Sequence, residues 1–134
     1  MIKLLFVFSL ALISFVQLQA QINISCNYRE TCLYNEETEK FDICDKEEEN
    51  SLFKINADMS VITHTTETIK SAYYVEKQST DQETGIIELT VVSDVGNEYV
   101  YFIDIENKEV RIAAKSDGQI ILIRFYIKKA WETK

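Results

Sequence analysis

The stretch VRIAAKSDGQIILIRFYIK, residues 110–128, carries the clearest indication of the fold. At its centre Asp117 and Gly118 separate two apolar runs, and an Asp-Gly pair in that position is a strong signal for a β-hairpin. Before the turn, Val110 and Ile112 alternate with other residues, and the same two-residue period continues after it. The stretch therefore predicts two antiparallel strands joined by a tight turn.

The same pattern extends upstream through a chain that contains no proline. Gly85 and Gly96 lie in polar gaps between β-branched and aromatic runs, as is typical of tight turns. The connections are about 2–6 residues long, too short for the helical crossovers of a parallel sheet. We predict an all-β fold, an antiparallel meander of about eight to nine short strands that closes as a small barrel or a sandwich. The predicted strands cover residues 31–35, 40–44, 51–56, 60–66, 68–77, 85–93, 98–105, 110–114 and 120–128.

The N-terminus has the features of an export signal. Lys3 precedes an apolar run over residues 4–16, and Ala20 supplies a small residue before the expected cleavage site. The run is too short to span a membrane as a helix, which needs about 20 residues. We therefore predict a signal peptide over residues 1–20 and a single mature all-β domain over residues 21–134. The mature chain is expected to be secreted or periplasmic and not to span a membrane.

The acidic balance of the chain restricts its partners. The net charge is −8 at pH 7, and loss of Lys3 with the signal peptide makes it −9. Such a surface repels phosphate groups, so we expect no nucleic-acid partner and no attraction to anionic lipid. The partner itself is unknown, and a small apolar ligand and a protein are both compatible with the sequence.

Three cysteines lie in an acidic N-terminal segment, residues 21–50, for which a hairpin is predicted. Pairing of its two short strands across a five-residue loop places Cys32 opposite Cys44, and we predict a disulfide between them. Cys26 is then a free thiol or pairs with another chain. A bridge between Cys26 and Cys44 is the alternative pairing, and a lipid anchor on Cys26 is a further alternative.

The residue types that could carry catalysis or bind a metal form no recognised motif. His64 is the only histidine, and no Gly-x-Ser-x-Gly turn is present to supply a nucleophile for it. The cysteines and His64 lack the closely spaced pairs of a zinc site. The acid-rich stretch, residues 36–49, lacks the spacing of a calcium loop, so solvated loop charge is expected there. We predict no catalytic residue, no metal site and no cofactor.

The aromatic residues lie in or beside the predicted strands, and two interpretations of them are open. They pack as a core and as cross-strand pairs, or they line an apolar cavity with hydroxyl groups at its mouth. The candidate ligand-lining residues are Tyr73, Tyr99, Tyr101 and Phe125.

No motif identifies an activity, and we expect a small exported domain that is not an enzyme. The favoured interpretation is a binding module for a small apolar ligand or a protein. A structural or interaction protein of the cell envelope or the extracellular space is an alternative, and a small hydrolase is a weaker one. The triplet Asn23-Ile24-Ser25 is an acceptor for N-glycosylation, and the sequence leaves its use open.

Overall fold

The computed structural model describes residues 20–133, which form eight β-strands. This part of the chain contains no helix and therefore no helical segment that could cross a membrane. Residues 1–19, and with them nearly all of the predicted signal peptide, lie outside the described residues. The strands are β1 (Gln21–Asn35), β2 (Lys40–Ile55), β3 (Val61–Thr65), β4 (Lys70–Thr80), β5 (Ile87–Ser93), β6 (Glu98–Asp104), β7 (Glu109–Ser116) and β8 (Gln119–Thr133).

The strands form one sheet that closes on itself as a ring. Each strand pairs antiparallel with the next along the chain, and β1 also pairs with β8. Between β7 and β8, Asp117 and Gly118 have φ angles of 52° and 77°, the left-handed values that a two-residue hairpin turn requires. The predicted all-β antiparallel meander and its Asp-Gly hairpin are confirmed.

Two of the nine predicted strands are parts of one continuous strand, β2. It includes residues 45–49 of the acid-rich stretch, for which a loop was expected, so that expectation is wrong there, whereas the predicted strand over residues 40–44 is confirmed. The reason lies in β1, which pairs with β2 along this stretch and satisfies the backbone hydrogen-bonding groups on that side of it. β1 also supplies Arg29, whose guanidinium forms ion pairs with Glu47 and Glu49.

The core lies on the inner face of the ring, to which every strand contributes alternate residues. Leu89 and Val91 of β5 and Tyr101 and Ile103 of β6 are buried, as the alternation in the sequence predicts. Burial of a large aliphatic or aromatic side chain contributes roughly 1.5–3 kcal/mol. The buried members of the core are Ile24, Cys26, Phe53, Ile55, Ile62, Leu89, Val91, Tyr101, Ile103, Val110, Ile112 and Phe125.

A disulfide joins Cys32 and Cys44, which are direct partners across β1 and β2 with Cα atoms 4.1 Å apart. The pair is the predicted one, but the turn is not the five-residue loop assumed for it. Asn35 pairs with Lys40 across a four-residue turn, and the register shifts between Leu33 and Asn35. This shift adds one residue to β2 and so restores the offset that brings the two cysteines together.

Cys26 is a free thiol buried in the core. Burial raises the pKa of this thiol to about 12. Because the thiol faces the interior, a bond to another chain would require the ring to open.

The acceptor side chain of the glycosylation triplet is also buried. Asn23 is 2% exposed, and its amide donates hydrogen bonds to the Trp131 carbonyl oxygen at 3.4 Å and to Thr133 Oγ1 at 3.2 Å. A glycan on Asn23 would displace the end of β8, so the folded domain has no room for one at this position.

A chain of ion pairs crosses four neighbouring strands. Arg124 of β8 contacts Glu30 of β1 at 2.6 Å and Glu109 of β7 at 3.4 Å. Arg111 of β7 contacts Glu109 at 2.8 Å and Asp104 of β6 at 3.2 Å. A single ion pair on the surface contributes little to folding stability, but charges that are shared in a network contribute more than isolated pairs. The chain of contacts links β1, β8, β7 and β6 side by side.

Removal of the disulfide should destabilise the domain. In a Cys32→Ala/Cys44→Ala double variant, the unfolded chain regains freedom and the free energy of unfolding should fall by about 2–4 kcal/mol. Urea unfolding followed by circular dichroism measures the change, and wild-type protein kept in reductant should lose a similar amount. Equal urea midpoints for the variant and the oxidised wild type would contradict this prediction.

Cys26 should resist alkylation as long as the domain is folded. Its thiol is buried and is protonated at neutral pH because its pKa is about 12. Iodoacetamide at pH 8 should leave the native protein unmodified, whereas the same treatment in concentrated urea should add one carbamidomethyl group at Cys26. Intact-mass spectrometry distinguishes the two states, and rapid labelling of the native protein would show that the thiol is accessible.

Candidate functional site

Three of the predicted ligand-lining residues meet on the inner face of the ring. The ring centroid of Tyr73 lies 5.5 Å from that of Tyr99 and 5.5 Å from that of Tyr101. Burial raises the pKa of Tyr101 well above its ordinary value, so its hydroxyl is neutral at pH 7. Within residues 20–133 this hydroxyl makes no hydrogen bond of regular geometry, although the Tyr73 side chain is close enough to raise its pKa further.

Phe125, the fourth predicted residue, belongs to the same aromatic cluster. Phe53 connects it to the tyrosines, with ring centroids 5.0 Å from Phe125 and 6.1 Å from Tyr101. His64 stacks on Phe53 at 4.2 Å. Edge-to-face and stacked contacts of this kind are the geometry that aromatic side chains adopt when they pack against one another. The four residues are thus brought together, and their lining of a ligand stays a prediction.

His64 is held in an environment that disfavours its charged form. Burial, followed by the positive charge of Arg29, lowers the pKa of His64 to about 4. The imidazole is therefore neutral at pH 7, and Phe53 and Phe125 flank it. In the described part of the chain, neither His64 Nε2 nor Arg29 Nε has a hydrogen-bond partner. This environment suits a packed histidine better than one that exchanges protons with a substrate.

Glu30, Cys32 and Cys44 have side-chain ligand atoms within 4.8 Å of one another. The two sulfur atoms are bonded to each other, so the oxidised group offers a carboxylate and no thiolate. Thiolate is the form of cysteine that binds zinc. Cys26 faces the core, and the residues considered for a zinc site are therefore not assembled in the oxidised domain.

The longest open strand edge in residues 20–133 belongs to β2. β2 pairs with β3 only from Leu52 to Ile55, whereas it pairs with β1 as far as Lys40. Residues 40–51 therefore have no second neighbouring strand in the described structure. At about 3.4 Å per residue this open edge is roughly 40 Å long.

The backbone of β2 directs hydrogen-bonding groups towards this open edge. The Cα separation of 4.1 Å between Cys32 and Cys44 is that of a non-hydrogen-bonded pair, whose N–H and C=O groups point away from each other. In a regular antiparallel ladder the same arrangement recurs at every second residue. Lys46 and Glu48 continue the regular register beyond Cys44. All three residues therefore present a donor and an acceptor to solvent.

A polar groove lies where β2 separates from β3. Its volume is about 560 Å³, and the turn between β3 and β4 forms its other wall. The ionisable side chains in its lining are those of three glutamates and one tyrosine. The groove is lined by Asn27, Tyr28, Glu48, Glu49, Asn50, Thr66, Glu67 and Thr68.

Side chains on the outer face hold the open part of β2 in place. The Lys46 ammonium lies 4.9 Å from the ring centroid of Tyr28 and 4.8 Å from that of Tyr126, a cation–π arrangement that joins β2 to β1 and β8. The Tyr28 hydroxyl donates a hydrogen bond of 3.0 Å to Glu48. Together with the disulfide, these contacts make the edge a fixed strand.

The open edge was missed in the sequence because its many acids suggested a loop. The signal that could have revealed it is the absence of glycine and proline from residue 40 to residue 55, together with the alternation of Phe41 and Ile43 with polar residues. Arg29 was missed as well, because its partners Glu47 and Glu49 lie 18 and 20 positions away.

No family model, curated protein or solved structure matches this chain. Function has to follow from the chemistry of the site, since one fold hosts many unrelated activities. In the described residues, the open edge of β2 and its adjoining groove offer both backbone groups and charge to a partner.

The environment of His64 should make the domain sensitive to mild acid. The unfolded chain binds a proton at His64 near pH 6.5, whereas the folded one does so only near pH 4. The contribution of His64 to the free energy of unfolding is present in full above about pH 6.5. It falls as the pH falls, and the free energy of unfolding should decrease by about 2 kcal/mol between pH 7 and pH 5. Urea unfolding at the two pH values measures this loss.

A His64→Phe variant is the matched control, because it keeps an aromatic ring in the cluster and has no group that titrates in this range. Its free energy of unfolding should change much less than that of the wild type between pH 7 and pH 5. Equal pH dependence in both proteins would show that His64 is not the titrating group.

Proposed function

We propose that this chain is an exported, non-catalytic binding module that engages a protein partner through the open edge of β2. The observation that carries the proposal is the unpaired stretch of residues 40–51, in which Cys44, Lys46 and Glu48 present backbone donors and acceptors. An extended segment of another protein can add to such an edge as a further strand.

Two features support a recognition role for this edge. It is the longest open edge in residues 20–133, since β8 extends only seven residues beyond its last pair with β7 at Tyr126. It is also held in place by β1, which pairs with the opposite edge of β2, by the disulfide and by the cation–π contacts of Lys46. A rigid edge loses little conformational freedom on binding, which favours affinity.

The interior gives less support for a ligand. The aromatic side chains that would line an interior cavity contact one another at centroid distances of 4.2–6.1 Å. A second candidate function is binding of a small apolar molecule. It is favoured by a pocket of about 320 Å³ beside the first residues of β6, and Tyr99 is one of the residues that line this pocket. The pocket is lined by Thr90, Glu98, Tyr99, Val100, Ala113, Ala114, Lys115 and Ile120.

Export from the cytoplasm is the location that fits the proposal. The Cys32–Cys44 disulfide is consistent with an oxidising compartment, where such bonds persist. The apolar N-terminal run of the sequence supports secretion or delivery to a periplasm.

Site-specific photo-crosslinking tests the proposed function. A photoreactive phenylalanine analogue replaces Asp45 on the open edge, and in a control protein it replaces Glu83 in the turn between β4 and β5. Expressed in the producing organism, the variant with the analogue at position 45 should form a discrete adduct with a protein. The control should form none, because position 83 lies away from the edge.

Adducts of equal yield from both positions, or none from position 45, would overturn the proposal. Native mass spectrometry of the purified wild-type protein tests the second candidate on the same material. A stoichiometric small apolar molecule retained by the protein would favour that function.

A further inference from the structure

We infer that the segment which binds the open edge of β2 is an extended, cationic strand with lysine or arginine at alternate positions. The inference rests on the proposed function, and it names the class of partner that the edge selects. It is carried by the combination of unpaired backbone groups and uneven charge along one strand.

The backbone requires the partner to be extended. Cys44, Lys46 and Glu48 present their N–H and C=O groups at a two-residue period, which a strand matches and a helix does not. Backbone pairing of this kind gives affinity without selecting a sequence, so selection has to come from the side chains beside the added strand.

The side chains of the open part of β2 favour a partner strand that carries positive charge. Between residues 40 and 50 there are five acids and two lysines. Asp45 and Glu47 are two positions apart and so share a face, and both are exposed. Arg29 offsets part of the charge of Glu47, whereas Asp45 forms no ion pair within residues 20–133. A partner strand that places cations at every second residue meets this face with complementary charge.

The polar groove extends the acidic surface past the end of the regular ladder. Glu48 lies both on the edge and in the groove, and Glu67 stands on the opposite wall. A long lysine or arginine side chain from a strand paired near Glu48 lies within the groove, where these carboxylates face it. The groove is therefore continuous with the strand-binding edge.

A second copy of this chain is a poor occupant of the same edge. Pairing two β2 edges would set acid-rich strands directly against each other, and like charges opposite one another on a sheet are destabilising. Charged residues on edge strands oppose self-association in this way. The same charges do not oppose a cationic strand, so the edge discriminates between the two occupants.

Binding of defined peptides to the purified mature protein tests this inference. The probe is a fluorescent peptide of alternating threonine and lysine, and the controls carry glutamate in place of lysine or N-methyl groups on two successive central residues. Fluorescence anisotropy at about 50 mM salt, where exposed charges are weakly screened, should show binding of the lysine peptide and much weaker binding of both controls.

Two charge reversals locate the binding site. Asp45→Lys should weaken binding of the lysine peptide about fivefold to tenfold, whereas Glu83→Lys, with the same change in net charge, should alter it less than about twofold because the site is distant. Both positions are exposed and lie outside the core, so both variants should keep the wild-type urea midpoint. Amide exchange measured by NMR should slow at Cys44, Lys46 and Glu48 when the peptide is bound.

Binding that leaves these amides unprotected, or that responds equally to the two reversals, would overturn strand addition and indicate diffuse attraction. Absence of binding by the lysine peptide would overturn the cationic class. The crosslinking at position 45 is independent of the peptide, so a protein adduct there with no peptide binding would leave the proposed function standing and refute only this inference.

Discussion

The ring depends on β1, which hydrogen-bonds to β2 along one edge and to β8 along the other. Without this strand the sheet would end in two long open edges. β1 is not regular, because its register shifts on both sides of Cys26. Bulges of this kind bend a strand and change which residues face inward. Ile24 and Cys26 face the core before the irregularity between Cys26 and Tyr28, whereas beyond it Arg29 lies close enough to His64 to lower the pKa of the imidazole.

The two faces of the sheet stabilise the domain by different means. Inside, apolar and aromatic side chains from all eight strands are removed from water, which is the dominant favourable contribution to folding. Outside, the disulfide restricts the unfolded chain and the ion pairs from Glu30 to Asp104 link four strands. The ion pairs are partly exposed, so their effect is modest and depends on salt.

The candidate site results from a mismatch in strand length. β2 has 16 residues and β3 has five, so more than half of β2 extends past its neighbour. A closed sheet removes the edge problem only where its strands are of matching length. The acids on β2 make the remaining edge unfavourable for a second copy and favourable for a cation. On the proposal that this edge binds a cationic strand, the same feature limits self-association and selects the partner.

The sequence by itself determined the strand period and the Asp117-Gly118 hairpin, because alternation and turn chemistry act between residues close along the chain. It also named Cys32 and Cys44 as disulfide partners, but the register shift after Leu33 that sets them opposite each other is a feature of the structure. Only the tertiary structure decided that β2 is continuous, that β1 meets β8, and that the edge of β2 stays open. These features depend on contacts such as that between Glu30 and Arg124, 94 positions apart. Such contacts are set by the geometry with which the whole ring closes, and no local pattern in the chain encodes that geometry.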